Sequence, residues 1–461
     1  MSEVLILGAG PCGLGAALFL KRAGFSDFQV LEAGTEPGGL ARSFIDDKGF
    51  TWDIGGHVQF SHYEDFDAVM DEALGNQWNI HQRESWVRLG SNWIPYPFQY
   101  NLHRLSPEDQ KRSWDGLQQR PQAAPSNFEE WIQGGFGSGI SDIFMMPYNF
   151  KVWAHPPKMM SYQWIGERVA QIDLARTEKN LRERKDDVSW GPNATFRFPK
   201  RGGTGAIWKR VAEMLGESAI TYQSTVQSVD LKKKVVTTRE GKEFSFSKLL
   251  STLPLDQLMK LSGIKMKADL LHSSSHIVGL GIKGQIPDDL KTKCWIYFPG
   301  AESPFYRATV FSNYSESHTP DSKNFWSLMC ETAESSFRPV DHQNLIEQTR
   351  LGLIATGILK VEDEIVSRWH FRAPYGYPIP SLGRDEVIHD ALFHLEEASV
   401  FSRGRFGLWK YEVSNQDHTF MQGFEWASHF LNKTAEYTYC RPELVNAPGR
   451  REKLPQNWEK V

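Results

Sequence analysis

Gly8, Gly10 and Gly13 stand at the spacing G-x-G-x-x-G, and Glu32 follows them in the stretch FQVLEAG. Glycines at that spacing let the chain turn tightly and bring its backbone up against a pyrophosphate. An acid at the end of the next strand can accept hydrogen bonds from the ribose hydroxyls of an adenosine. The chemistry is dinucleotide binding, and it requires particular elements around it. Val4 to Leu7 is an apolar run suited to a buried parallel strand. Leu14, Ala17, Leu18 and Phe19 then fall on one side of a helix, whose N-terminus presents free N–H groups and a positive dipole end to a phosphate. Phe28 to Leu31 gives the second strand, which ends on the acid.

The whole chain narrows the reading. At 461 residues it exceeds what one hydrophobic core usually supports, so two or three domains are expected. Hydrophobic residues make up 40% and charged residues 23%, an ordinary soluble composition, and a net charge of −4 argues against nucleic-acid binding by overall charge. No apolar run is long enough to span a membrane, and the apolar N-terminus lacks the basic region of a signal peptide. Cys12, Cys294, Cys330 and Cys440 show neither a disulfide pattern nor a metal spacing, so no metal is expected and a cytoplasmic, reducing location is. Phosphate-loop, zinc-protease and serine-hydrolase motifs are missing, which leaves the chemistry to a bound cofactor.

Further along, Gly55, Gly56 and His57 form a glycine loop that places a histidine directly after the nucleotide motif. Residues 79 to 99 alternate and are rich in aromatics, as a strand pair would be. Ser106 is a good N-cap with Pro107 at the first helical position, and helical patterns continue past residue 140. A second G-x-G-x-x-G, at Gly279, Gly281 and Gly284, is rejected as a nucleotide site: no amphipathic helix follows it and Pro287 sits where one would begin. The runs 276–283, 294–298, 305–313, 325–331 and 364–372 predict an antiparallel sheet, and a terminal helix is expected from about Met421 to Leu431.

Just past Glu32, Gly38, Gly39 and Arg42 resemble the glycine pair and arginine that face the FAD pyrophosphate in amine-oxidase-like flavoproteins. The chain as a whole resembles the UDP-galactopyranose mutases, the eukaryotic type in particular, nearly end to end. The resemblance lies in GGHVQFSHY (55–63), PYPFQ (95–99), PYNFKVWA (147–154), GERVA (166–170), WGPNATFRFPKRGGTG (190–205), CWIYFP (294–299), PFYRATVFSNY (304–314), GYPIP (376–380) and GRFGLWKYEVSNQDHTF (404–420). It implies an α/β protein with an FAD-binding Rossmann-type domain (1–78, 200–260 and 384–440), a mainly helical insertion domain with mobile loops (100–199) and an antiparallel β-sheet domain (79–99 and 261–383).

It also implies site residues. Gly8, Gly10, Gly13, Glu32, Gly39, Arg42, His57, Arg83, Asn415 and Gln416 would hold FAD. Arg168 and Arg307 match the arginines that grip the UDP pyrophosphate, as fixed bidentate cations should. Tyr297, Tyr377 and Tyr411 match diphosphate-binding tyrosines, while Asn149, Trp153 and Asn193 match residues near the substrate. Tyr96 and Gln99 match the uridine site, and Arg405 and Asn415 line flavin or sugar. His57, Arg168 and Arg307 are the residues expected to serve the reaction itself.

The activity implied is interconversion of UDP-galactopyranose and UDP-galactofuranose without net redox change. Reduced FAD would be the active form and NADPH the reductant. No side chain in the motifs is an evident covalent nucleophile, so the flavin N5 is expected to attack the anomeric carbon and form an adduct with the sugar. The partner is then a UDP-sugar rather than nucleic acid or membrane, and a homo-oligomer is allowed. A mutase for another sugar nucleotide and an amine-oxidase-type redox enzyme are the alternatives. The segments 155–164 and 169–177, and Ser414 in KYEVSNQ, depart from the fungal pattern.

Overall fold

The computed structural model describes residues 2–166, 168–188 and 194–446. The strand β1 (Ser2–Leu7) sits in the middle of a seven-stranded sheet, with β2 (Phe28–Leu31) parallel on one side and the strand Glu243–Ser251 parallel on the other. Val400–Ser402 and Ile220–Thr221 extend the parallel core, and the hairpin Val226–Asp230 with Val235–Thr238 adds an antiparallel edge. Val4, Leu5 and Ile6 are wholly buried, as a strand covered on both faces requires. The helix α1 (Pro11–Arg22) follows β1 directly, with Gly10 as an extended N-cap that makes no side-chain capping bond. Its first-turn N–H groups are therefore not capped by a side chain.

A second seven-stranded sheet runs in the order Ile365–Pro378, His272–Lys283, Phe325–Glu334, Arg307–Val310, Trp295–Tyr297, Ser85–Leu89 and Asn92–Pro95. All neighbours in it are antiparallel except Trp295–Tyr297 with Ser85–Leu89, which are parallel. The strand Trp78–Gln82 instead pairs with Thr195–Pro199 in a small sheet of its own. The glycines of the rejected second motif have a packing role. A side chain on Gly279 would lie 2.6 Å from the Trp52 ring, and one on Gly281 would lie 2.5 Å from the Phe50 ring. The bare strand surface lets these two aromatics lie flat on the sheet.

Ser106 caps the helix Pro107–Gln118 by accepting from the Asp109 N–H, and helices Phe128–Ile140, Met146–Trp153 and Leu174–Glu183 complete the helical part. The terminal helix starts earlier than expected, at Gln416, and runs to Asn432. It crosses α1 at backbone contact. A side chain on Gly15 would meet the Phe420 carbonyl at 2.3 Å, and one on Gly423 would meet the Cys12 carbonyl at 1.8 Å. Among the described residues no helix is long and apolar enough to cross a membrane, and all four cysteines are free thiols.

Candidate functional site

A cavity of about 960 Å³ opens beside the glycine loop, lined by residues just past the ends of the parallel strands (Gly8, Glu32, Thr252), by residues of the second large sheet and by the start of the terminal helix. At its nucleotide end Gly10 and Gly39 face each other with nothing but backbone between them: a side chain on Gly39 would come 3.4 Å from the Gly10 Cα. Glu32 is fixed by two backbone donors, Ala9 N–H at 2.8 Å and Gly34 N–H at 2.7 Å, one on each carboxylate oxygen. Gly8, Arg42, Asn415 and Gln416 line the same cavity. Asn415 is the N-cap of the terminal helix and makes no side-chain capping bond, so a second helix N-terminus borders the space. An uncapped helix start, a bare glycine cradle and an anchored acid fit a dinucleotide.

Two expected cofactor residues act at one remove. Gly13 does not line the cavity; it lets α1 lie against the Gly8 carbonyl, only 1.9 Å from where its Cβ would be. The side-chain oxygen of Gln416 is taken by the Trp208 indole N–H at 2.7 Å, so this residue fixes the helix start as well as facing the cavity. Arg83 lines the cavity with its guanidinium over the Trp295 ring.

The rest of the cavity is rich in arginine and tyrosine: Arg168, Arg307, Arg405, Tyr297, Tyr377 and Tyr411 all line it. The arginines differ in what holds them. Among the described residues Arg405 hydrogen-bonds only to carbonyl oxygens, donating Nε and Nη2 to Gly376 O and Nη1 to Ser414 O. Arg168 donates Nη2 to Glu412 O at 2.5 Å, while its buried Nη1 has no hydrogen-bond partner. Among the described residues neither is paired with a carboxylate, so both keep their charge available to the cavity there. Arg307 is different: Glu331 takes its Nε and Nη2, both at 2.8 Å, leaving Nη1 as the donor for the cavity. Glu331 went unmarked in the sequence because it sits in the strand Phe325–Glu334 with no motif around it.

His57 lines the cavity with a buried, unpartnered Nδ1. Burial lowers its pKa from 6.5 to about 4; nearby Glu331 pulls the other way, but Arg405 and Arg307 reinforce the loss. The ring is therefore neutral at physiological pH. Because the unfolded chain binds this proton first, folding stability tied to His57 is intact above pH 6.5 and is lost as pH falls from there through about 4. Thermal unfolding followed across that window should fall more steeply in the wild type than in His57→Asn. Equal slopes would mean that the ring is not held neutral. Burial likewise raises the pKa of the Tyr411 hydroxyl, keeping it a neutral donor.

The structure places four expected substrate residues one layer behind the wall. Tyr96 packs edge-on against Tyr297 with ring centres 5.3 Å apart. Trp153 is buried edge-on against Tyr411 at 4.7 Å and Tyr377 at 5.7 Å. Asn149 turns its amide back to Met145 O, 2.7 Å away on its own helix. Gln99 donates to Ala170 O at 2.6 Å, and Tyr100, unmarked in the sequence, donates to Gln171 O at 2.6 Å. These two side chains hold the segment after Arg168 against the cavity. Asn193 lies outside the described residues, as do positions 189–192 before it. Among the described residues two clusters, His62–Asp417–His418 at the cavity wall and His276–Glu334–His342 away from it, bring metal-capable atoms within 4.8 Å of one another, and both are internally hydrogen-bonded.

The family model of the flavin-containing amine oxidoreductases matches residues 11–278. A crystal structure of reduced UDP-galactopyranose mutase is 47% identical and superimposes with a TM-score of 0.93, covering 97% of each chain. The fold recurs at lower identity. The CLA-producing fatty acid isomerase from P. acnes is 13% identical with a TM-score of 0.60, covering 93% of this chain and 99% of that one. Wild-type putrescine oxidase is 15% identical with the same TM-score and the same coverage.

Proposed function

We propose a reaction for this cavity from one premise: the chain belongs to the UDP-galactopyranose mutase family, within the flavin-containing amine oxidoreductases. The reaction is the interconversion of UDP-galactopyranose and UDP-galactofuranose on bound FAD, with no net transfer of electrons. The observation that carries it is the pair Arg168 and Arg405, two cavity-lining guanidinium groups with carbonyl partners and, among the described residues, no carboxylate. Such groups attract a diphosphate and repel the ammonium group that an amine oxidase must admit.

In this reading the backbone at Gly8, Gly10 and Gly39 and the Glu32 carboxylate hold the cofactor. Reduced flavin supplies a nucleophilic nitrogen, N5, able to hold the anomeric carbon while the sugar ring opens. Arg168, Arg405 and Nη1 of Arg307 hold the diphosphate before and after it leaves the sugar. Tyr297, Tyr377 and Tyr411 add neutral or aromatic contacts, and Trp153 and Tyr96 keep those rings in place. Neutral His57 gives hydrogen bonds without adding charge beside the flavin. Gln99 and Tyr100 keep the Arg168 segment closed over the cavity, which excludes water from the open sugar. NADPH is the reductant; it enters the same cavity and leaves before the substrate, as in the eukaryotic type.

The test is anaerobic incubation with dithionite and UDP-galactofuranose, followed by chromatography. UDP-galactopyranose should form while the flavin stays reduced, and the oxidised protein should be inert. Absence of conversion by fully reduced, FAD-loaded protein would end this reading.

A further inference from the structure

We propose that Glu331 is a positioning residue that ties Arg307 to the Gly55–Gly56–His57 turn, so that an anion held by the one is felt at the other. The inference rests on the UDP-sugar reading above. Glu331 lies on the strand Phe325–Glu334, at the position directly opposite Arg307 in the antiparallel register. Its neighbours on the same strand face, Met329 and Ala333, are apolar and fully buried. A carboxylate in such a position is stable only if its lone pairs are all engaged.

They are, and by two separate parts of the site. Oε1 accepts from Arg307 Nε at 2.8 Å and from the Gly56 backbone N–H at 3.0 Å. Oε2 accepts from Arg307 Nη2 at 2.8 Å and from the Tyr306 hydroxyl at 2.8 Å. Each oxygen is thus shared between the guanidinium and another element. Burial alone would raise the carboxyl pKa, but the arginine and the other donors hold it below the usual value, so the group is ionised.

The turn is seated with no slack. A side chain on Gly56 would meet Thr309 Oγ1 at 2.7 Å and Trp295 Nε1 at 3.0 Å, so its backbone rests directly on three neighbouring strands. Gly55 has a φ of +97°, and its carbonyl accepts from the His57 N–H at 2.8 Å, which closes the turn and fixes where His57 emerges. The path from the diphosphate to the histidine is therefore guanidinium, carboxylate, Gly56 N–H, His57. No flexible side chain interrupts it. When Arg307 leans toward an anion, the carboxylate must follow or exchange one donor for another, and the turn moves with it.

The decisive measurement is UDP titration of FAD-loaded protein, read both as an affinity and as the change in the flavin visible spectrum on binding. Wild type should bind UDP and show the spectral change. Glu331→Gln offers two acceptor lone pairs where four donors wait, and should weaken UDP binding on the order of tenfold. It should also abolish most of the UDP-induced spectral change. In Arg307→Ala the same second substitution should have little further effect on UDP affinity, because the link is already broken. A residue that merely stabilised the strand would lower the melting temperature and leave the spectral response intact. Glu331→Asp keeps the charge but withdraws it by one methylene, and should give an intermediate loss; it decides the matter if Glu331→Gln does not load flavin. Wild-type protein that binds no UDP would overturn the substrate reading. Wild-type protein that binds UDP without any flavin response, or variants that respond as wild type does, would overturn the role of Glu331 alone.

Discussion

A Gly10→Val variant is expected to purify folded and colourless. The backbone at Gly10 has φ −78° and ψ −178°, an extended conformation open to any residue. An added Cβ meets only the Gly39 Cα, at 3.8 Å, an ordinary contact. The added Cβ meets no clash, and the valine methyls would cover the bare glycine surface, where a pyrophosphate would lie against the uncapped start of α1. Gly13→Ala makes the contrast. Its Cβ would lie 1.9 Å from the Gly8 carbonyl, so that variant should be destabilised outright. The check is flavin absorbance per protein, alongside circular dichroism and thermal unfolding. A yellow Gly10→Val protein with one FAD per chain would place the pyrophosphate elsewhere.

The second large effect separates the two expected diphosphate arginines. Arg307→Ala leaves the buried Glu331 charge with only Gly56 N–H and Tyr306 OH for company. Breaking a buried ion pair from one side costs about 3–5 kcal/mol, so this variant should lose both UDP binding and much of its stability. Among the described residues Arg168 has no carboxylate partner to strand. Arg168→Ala should keep its melting temperature and lose on the order of 1.5–3 kcal/mol of UDP affinity, the worth of a charge-assisted contact. Lysine at position 168 should recover only part of this, since it lacks the planar fork. Calorimetric titration with UDP and thermal unfolding of both variants read the difference; two variants with wild-type affinity would move the diphosphate out of this cavity.

What could be read from the sequence was what short-range spacing fixes. The glycine loop, Glu32, Gly39 and the Ser106 cap depend on neighbours a few residues away or one strand on, and the antiparallel strands show as short runs rich in apolar residues. The false glycine motif at Gly279 could be dismissed on the missing helix, although its cause, Trp52 and Phe50 lying on the bare strand, comes from far along the chain. Glu331 could not be read at all. Its meaning arises from a cross-strand partner and a distant turn, and in LMCETAE it looks like any edge-facing acid. The family motifs marked Tyr96, Gln99, Asn149 and Trp153 as site positions without saying whether a side chain faces the cavity or supports one that does. The start of the terminal helix was misplaced because Gln416 to Thr419 are polar enough to read as loop, yet Asp417 to Phe420 are buried.

The contact between α1 and the terminal helix also sets an order of assembly during synthesis. The glycine loop leaves the ribosome early, but the helix that seals it, from Gln416 to Asn432, is made roughly four hundred residues later. At about 5–20 residues per second, that is a wait on the order of half a minute. Over that interval the parallel sheet lacks Val400–Ser402, the cavity lacks Asn415 and Gln416, and the Gly15 surface of α1 lies open. The nascent chain can present the glycine loop but cannot enclose a cofactor. Loading therefore belongs to the finished polypeptide, and a ribosome stalled before residue 416 would carry a nucleotide motif in sequence with no flavin in place.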